Sequence, residues 1–348
     1  MKRALVLAGG GARGSYQVGM LQELVINQGF DFEVIRGVSA GALNASFLAQ
    51  ASMQGDSLQN LKDRVALLNQ LWTEQIQGNR SVYCKRFPLG LLFGANSCNS
   101  NDPLKRLINE QISIDDLRNS GRDFEVGTVS LVSGRYCPWS PADDNFIEKL
   151  IASGSVPFVF PYVEMEFEKE ALVDGGLRDV TPLGSAFAAE PEEIYVLLTS
   201  RLIRENGELP KCGVPEHDYS RWEDNFLGTK VTALDILKRT VEIILDEIYL
   251  NDICDALNWN TLINEVEAVV SRADREQNLS QEMNAAIETL KGAYETIGKR
   301  YVPLYVLAPR EWYGDHNDGL DFSPELISRA IEHGRQVAAD SRLWLWPP

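Results

Sequence analysis

Residues 5–20, LVLAGGGARGSYQVGM, constrain this chain more than any other stretch. Leu5, Val6, Leu7 and Ala8 make an apolar run of strand length. Gly9, Gly10, Gly11 and Gly14 interrupt it, and Val18, Leu21 and Val25 then recur at helical spacing. The pattern predicts a strand, a glycine loop and a helix, an arrangement suited to binding an anion. Glycines admit positive φ and leave backbone N–H groups bare, and a helix start adds unpaired donors and partial positive charge.

A second glycine motif indicates which anion. Phe32, Val34 and Ile35 predict another short strand, and GVSAGALNASFLAQ follows it at 37–50. Gly37, Ser39 and Gly41 satisfy GxSxG between a strand and a helix, the setting of a nucleophile elbow. A serine at such a turn is held strained with its hydroxyl outward, and larger flanking side chains would strike the neighbouring strand and helix. Attack by Ser39 on a carbonyl would create an oxyanion, which the N–H groups of the Gly9–Gly14 loop could receive. The serine also needs a base, and no histidine precedes His217. In EALVDGGLRDVTPL, Ala171, Leu172 and Val173 lead into Asp174, with Gly175 and Gly176 after it. That is a carboxylate at a strand end; an ordinary turn aspartate is the alternative. Gly9, Gly11 and Gly14 also satisfy the GxGxxG of dinucleotide-binding folds, which expects an acid at the end of the next strand. Here that strand ends in Arg36 and runs straight into Ser39, while Glu33 lies inside or before the strand rather than at its end.

Composition narrows the class. With 348 residues, 44% of them hydrophobic, the chain can bury a large core, and no repeat, low-complexity tract or flexible linker divides it. The expectation is one domain, 1–348, with a motif-bearing core over 1–200 and a helical and C-terminal part over 201–348. A net charge of −17 argues against a nucleic-acid partner. Cys84, Cys98, Cys137, Cys212 and Cys254 include no CxxC pair and are odd in number, which fits a reducing compartment. His217, His316 and His333 lack metal-ligand spacing, so no metal site is expected. The apolar run after Met1, Lys2 and Arg3 is too short for a signal peptide, and no run approaches the ~18 apolar residues of a membrane span. A soluble, cytoplasmic protein is expected, with transient contact at a membrane surface left open.

Elsewhere the chain reads mostly as scaffold. Ile194–Leu198 and Leu304–Leu307 predict core strands, and Leu234, Leu237, Val241, Ile244, Leu245 and Ile248 form an apolar stripe on a packing helix. Residues 265–298 are polar and helix-prone, as in an exposed helical hairpin. Ser323 and Pro324 suit the N-cap and N1 of a final helix. Lys85 and Arg86 adjoin the apolar residues of 87–95, which read as a buried wall or as the rim of an acyl site. Trp344 and Trp346 are expected to pack on the domain rather than on a membrane.

Three blocks in order, GGGARG at 9–14, GVSAG at 37–41 and DGG at 174–176, resemble the patatin-like phospholipases. IASGSVPFVFPYV at 151–163, VTPL at 180–183 and the late GLDFSPELISRAIEHGRQVA stretch are similar to further family segments. Many members have Asp before the three glycines, where this chain has Ala8. The resemblance implies a three-layer α/β/α fold with a mostly parallel central sheet. It also implies a Ser39–Asp174 dyad without histidine, an oxyanion hole from Gly9, Gly10, Gly11, Ala12, Arg13 and Gly14, an elbow at Gly37 and Gly41, and a turn at Gly175 and Gly176. Arg13 is read as an ordering residue of the loop. No cofactor or metal is implied, and the substrate would be a lipid carboxylic ester, a phospholipid or lysophospholipid. The alternatives are a Ser–Asp–His triad esterase or thioesterase using one of the three histidines, a dinucleotide-binding oxidoreductase, and a catalytically silent lipid-binding module.

Overall fold

The computed structural model describes residues 1–86, 96–200, 231, 233–275, 280–297, 300–310, 318–340 and 344. In chain order its elements are β1 (Arg3–Leu7), α1 (Gly14–Leu21), β2 (Val34–Val38), α2 (Ala40–Ala49), α3 (Ser57–Gln70), β3 (Cys84–Lys85), β4 (Asn99–Ser100), α4 (Asp102–Gln111), α5 (Ile114–Asn119) and β5 (Asp123–Ser130). There follow β6 (Tyr136–Trp139), α6 (Phe146–Ser153), β7 (Val163–Met165), β8 (Glu170–Asp174), α7 (Leu183–Ala188), β9 (Glu193–Leu197), α8 (Ala233–Ala273), α9 (Gln281–Ile297), β10 (Leu304–Leu307) and α10 (Pro324–Ala339).

The central sheet runs β10-β9-β1-β2-β5-β8-β7, with β6 also paired to β5. From β10 to β5 every neighbour is parallel, and β6, β7 and β8 join antiparallel. Alternation along the strands divides the interior into two cores. Leu5, Leu7, Tyr195, Leu197 and Leu307 face the core shared with α1, α2, α3 and α10. Ala4, Val6, Ile194, Val196, Leu304 and Val306 face the other, covered by α7 and by Ile253, Cys254 and Leu257 of α8. The result is a three-layer α/β/α arrangement with a mostly parallel sheet. Strands buried on both faces explain why β1 and β9 read as continuous apolar runs rather than alternating ones.

Helices α1 and α10 touch at backbone distance. A Cβ on Gly19 would lie 1.8 Å from the Ile331 carbonyl oxygen, and one on Gly334 2.0 Å from that of Tyr16. Two glycines thus let the last helix lock onto the first, which carries the glycine loop at its start.

On α8, Ile248 and Ile253 pack against the sheet and Ile244 is exposed, while the side chains of Leu234, Leu237, Val241 and Leu245 lie outside the described residues. Beyond α8, α9 returns alongside it, with Lys291 Nζ 2.8 Å from Asp274, as a hairpin of two helices. Ser323 stands at the N-cap of α10 with Pro324 at N1, but its side chain makes no cap hydrogen bond. Trp344 is buried edge-on against Tyr195 and Tyr305 and donates from Nε1 to the Val337 carbonyl. Trp346, Cys212 and residues 87–95 lie outside the described residues. Among the described residues Cys84, Cys98, Cys137 and Cys254 form no disulfide, and no helix is long and apolar enough to cross a membrane.

Candidate active site

The sheet register brings Ser39 and Asp174 together. Val38 pairs with Gly127 on β5, so Ser39 leaves the sheet level with Thr128, and Thr128 pairs with Asp174 on the far side. Only the width of β5 separates the two strands. Ser39 has φ 58° and ψ −130°, a conformation an L-residue holds at a cost of about 1–3 kcal/mol, and α2 begins at the next residue. The surrounding backbone imposes this turn. A Cβ on Gly41 would sit 2.1 Å from the Leu7 carbonyl oxygen, and one on Gly37 2.6 Å from that of Gly41.

Where the chain turns out of the sheet, Ser153 replaces the lost ladder bond. Its hydroxyl accepts the Ser39 N–H at 3.1 Å and donates to the Gly127 carbonyl at 2.7 Å. Ser153 lies in the segment IASGSVPF, and its small polar side chain at the end of an apolar helix was the only local sign of this role.

Asp174 is 4% exposed. Its Oδ1 accepts the Gly176 N–H at 2.8 Å, while Oδ2 is buried without a hydrogen-bond partner among the described residues. Burial pushes its pKa up to about 7, against the opposing pulls of the neighbouring Ser39 hydroxyl and the Gly176 N–H. The hydroxyl is beside the carboxyl but outside hydrogen-bonding geometry, a looseness common in unliganded nucleophile–base pairs. Gly175 allows the approach, since a Cβ there would lie 2.5 Å from the Gly127 carbonyl oxygen.

The glycine loop reaches the serine from the β1 side. A Cβ on Gly9 would lie 3.0 Å from that of Ser39. Three of the loop's N–H groups already have acceptors: Gly9 donates to Val180, Arg13 to Gly10, and Gly14 to Gly11 and Ala12. Those of Gly10, Gly11 and Ala12 take no backbone acceptor among the described residues. Gly11 has φ 59°, and a Cβ on it would lie 2.0 Å from the Gly319 carbonyl oxygen. Thr199, just past β9, donates its hydroxyl to the Gly9 carbonyl and packs against Gly10. Arg13 donates from Nη1 to Ser200 Oγ at 3.3 Å, which ties the loop to the end of β9.

A buried polar chain lies beneath. Trp72 Nε1 donates to Asn44 Oδ1, Asn44 Nδ2 donates to Gln17 Oε1 and to the Gly14 carbonyl, and Gln17 Nε2 donates to the carbonyls of Ala8 and Leu197. It connects the loop, α1 and the elbow helix into one unit with every bond inside the core. Gln17 and Asn44, polar residues on otherwise buried helices, were the visible signal for it.

Of the histidines, His333 is buried on α10, accepts the Arg310 N–H through Nε2 at 2.9 Å and meets Tyr16 edge-on. His217 and His316 lie outside the described residues. Among the described residues no three His, Cys, Asp or Glu side chains are grouped so as to hold a metal ion.

The model of the family described as patatin-like phospholipase matches residues 5–187, which span the glycine loop, the elbow and the Asp174 turn. No curated protein matches the chain. Among solved structures it is similar to VipD from Legionella pneumophila at 13% identity and a TM-score of 0.40, the match covering 98% of this chain and 66% of that one. With more than half of its length under the family model, the chain belongs to the patatin-like phospholipase family.

Proposed function

We propose that this chain is a lipid acyl hydrolase that cleaves carboxylic esters of phospholipids or lysophospholipids through a Ser39–Asp174 dyad, with residues 1–348 working as one domain. The observation that carries the reading is the Asp174 carboxyl, its pKa pushed to about 7 and its free Oδ2 beside a serine held at φ 58°.

The first half-reaction needs Asp174 ionised. Oδ2 takes the Ser39 proton as Oγ bonds to the ester carbonyl carbon, and the carbonyl oxygen becomes an oxyanion. The N–H groups of Gly10, Gly11 and Ala12 receive that charge, aided by the start of α2. Collapse breaks the bond to the alcohol oxygen, which takes the proton from Asp174. Water then attacks the acyl-serine, Asp174 accepts its proton, and Ser39 Oγ leaves reprotonated with release of the fatty acid. An ordinary aspartate, ionising near pH ~3.9, would be a poor proton acceptor here; a pKa near the working pH is the better match.

The triad reading finds little support in His333, whose Nε2 is already an acceptor for Arg310. A fluorophosphonate probe tests the nucleophile: labelling at Ser39, abolished in Ser39→Ala, is expected. A panel of diacyl and lysophospholipids with product identification tests the substrate class. Labelling that persists in Ser39→Ala would overturn the dyad, and release of fatty acid from neither lipid class would overturn the substrate assignment.

A further inference from the structure

We propose that Asp252, on α8 and beyond the segment that matches the family model, is a positioning residue for the oxyanion loop, acting through the Val180–Thr181 peptide. The inference rests on the roles given above to Ser39 and to the N–H groups of Gly10, Gly11 and Ala12.

Asp252 Oδ2 accepts the N–H groups of Val180 at 3.1 Å and of Thr181 at 3.3 Å. The carbonyl of Val180 accepts the Gly9 N–H at 3.2 Å. The Thr181 N–H and the Val180 carbonyl are the two ends of one peptide group. That peptide is therefore clamped between the Asp252 carboxyl and the first glycine of the loop. Donation to the carboxyl oxygen also polarises the peptide and makes its carbonyl the stronger acceptor. The same turn carries Asp174, and it is drawn tight by the N–H groups of Arg178 and Asp179 donating to the Gly175 carbonyl. One side chain of α8 thus fixes the interval between the base and the donors. Without it the 180–181 peptide can rotate, and Gly9 loses the bond that sets the direction of the next three N–H groups. Thr199 would then hold Gly9 by its carbonyl alone.

The immediate neighbour of Asp252 is Asp179, whose side chain hydrogen-bonds to it. Burial first, then the mutual repulsion, raises Asp252, and burial raises Asp179. The pair holds a proton between them. A neutral amide at 252 therefore reproduces what the site contains: an oxygen for the two N–H groups and a donor for Asp179.

The test measures kcat and KM of the full chain on a short-chain p-nitrophenyl ester, for Asp252→Ala, Asp252→Leu and Asp252→Asn, with Ser39→Ala alongside and folding checked by circular dichroism. Asp252→Ala is expected to lose about 10²-fold in kcat, the scale of one lost oxyanion donor, with KM within about threefold of the parent. Asp252→Asn is expected to restore kcat to within about threefold. Asp252→Leu, branched like aspartate though larger and without an acceptor, stands in if the alanine variant does not fold, and should match its loss. Parent-like kcat in the folded Ala or Leu variant, or an Asn variant as slow as they are, would overturn the proposal. If Ser39→Ala stays active, the dyad reading fails and takes this inference with it; a dead Ser39→Ala beside a fully active Asp252→Ala overturns the positioning role alone.

Discussion

The elbow at the end of β2 and the helix pair α8–α9 are built on opposite tolerances. At the elbow, backbone meets backbone: Gly41 approaches the Leu7 carbonyl so closely that one added carbon would stand 2.1 Å from it. In α9, Gly292 has nothing within 4 Å of the place where a Cβ would go. The apolar residues differ in the same way. Leu5, Leu7 and Ile35 around the elbow are fully buried, while Ile236, Ile243, Trp259 and Leu262 of α8 are about half exposed. The difference teaches where the chain spends its constraint. Strain at Ser39 survives only because every neighbour is fixed, and a peripheral helix needs no such enclosure apart from the points, such as Asp252, where it touches the site.

The largest effect is expected at the reacting groups. Ser39→Ala and Asp174→Asn should each lower kcat by about 10⁴-fold or more while leaving the circular dichroism spectrum intact, because they act as a unit. A folded variant of either kind with parent-like turnover would dissolve the contrast. Gly41→Ala comes next: its Cβ can be admitted only by moving β1 or α2, so activity should fall at least ~10²-fold and Tm should drop, as for overpacked sites.

The pH profile sharpens the comparison, because its sign differs for rate and for stability. Asp174 must be ionised to act, so kcat/KM should fall about tenfold per unit below pH 7, the value to which burial raises it. For folding, a carboxyl whose pKa is raised in the native state favours the fold at low pH, and that contribution is lost as pH rises from its unfolded value of 3.8 to about 7. The loss amounts to about 4 kcal/mol at most, so Asp174→Asn should have a higher Tm than the parent at pH 8 and lose that advantage toward pH 4. Equal pH dependence of Tm in the two proteins would show that the carboxyl is hydrated.

His333→Ala should keep activity within about an order of magnitude, while removing a buried acceptor should cost about 1–3 kcal/mol of stability in urea unfolding. A folded His333→Ala as inactive as Ser39→Ala would make Asp174 the orienting member of a triad. The smallest effect belongs to the helix pair: Gly292→Ala should leave kcat unchanged and stabilise α9 by up to about 1 kcal/mol. A loss of activity there would mean that the peripheral helices are coupled to the site more widely than through Asp252.

Much of this was readable before any coordinates. The apolar runs at 5–8, 194–198 and 304–307 became neighbouring strands because a parallel sheet buried on both faces leaves its members continuous apolar sequences. GxSxG between a strand and a helix carries its own geometry, since glycines are required where carbonyls crowd the turn. The stripe on residues 231–250 marks an apolar face, and periodicity does not say how far along a helix a partner extends.

By itself, then, the sequence determined the strands at 5–8, 194–198 and 304–307 and the strand-end setting of Ser39 and Asp174, all properties of local spacing and residue type, and through its resemblance to a family it implied the fold class. Tertiary structure decided what surrounds them. Ser153 on the Ser39 N–H, Thr199 on the Gly9 carbonyl, Gly319 against Gly11 and Asp252 on the 180–181 peptide each meet a partner 71 to 308 residues distant. No local pattern marks such pairs. They exist because layering the sheet between helices removes these backbone groups from water, and each must then find its partner among whatever the fold has brought within reach.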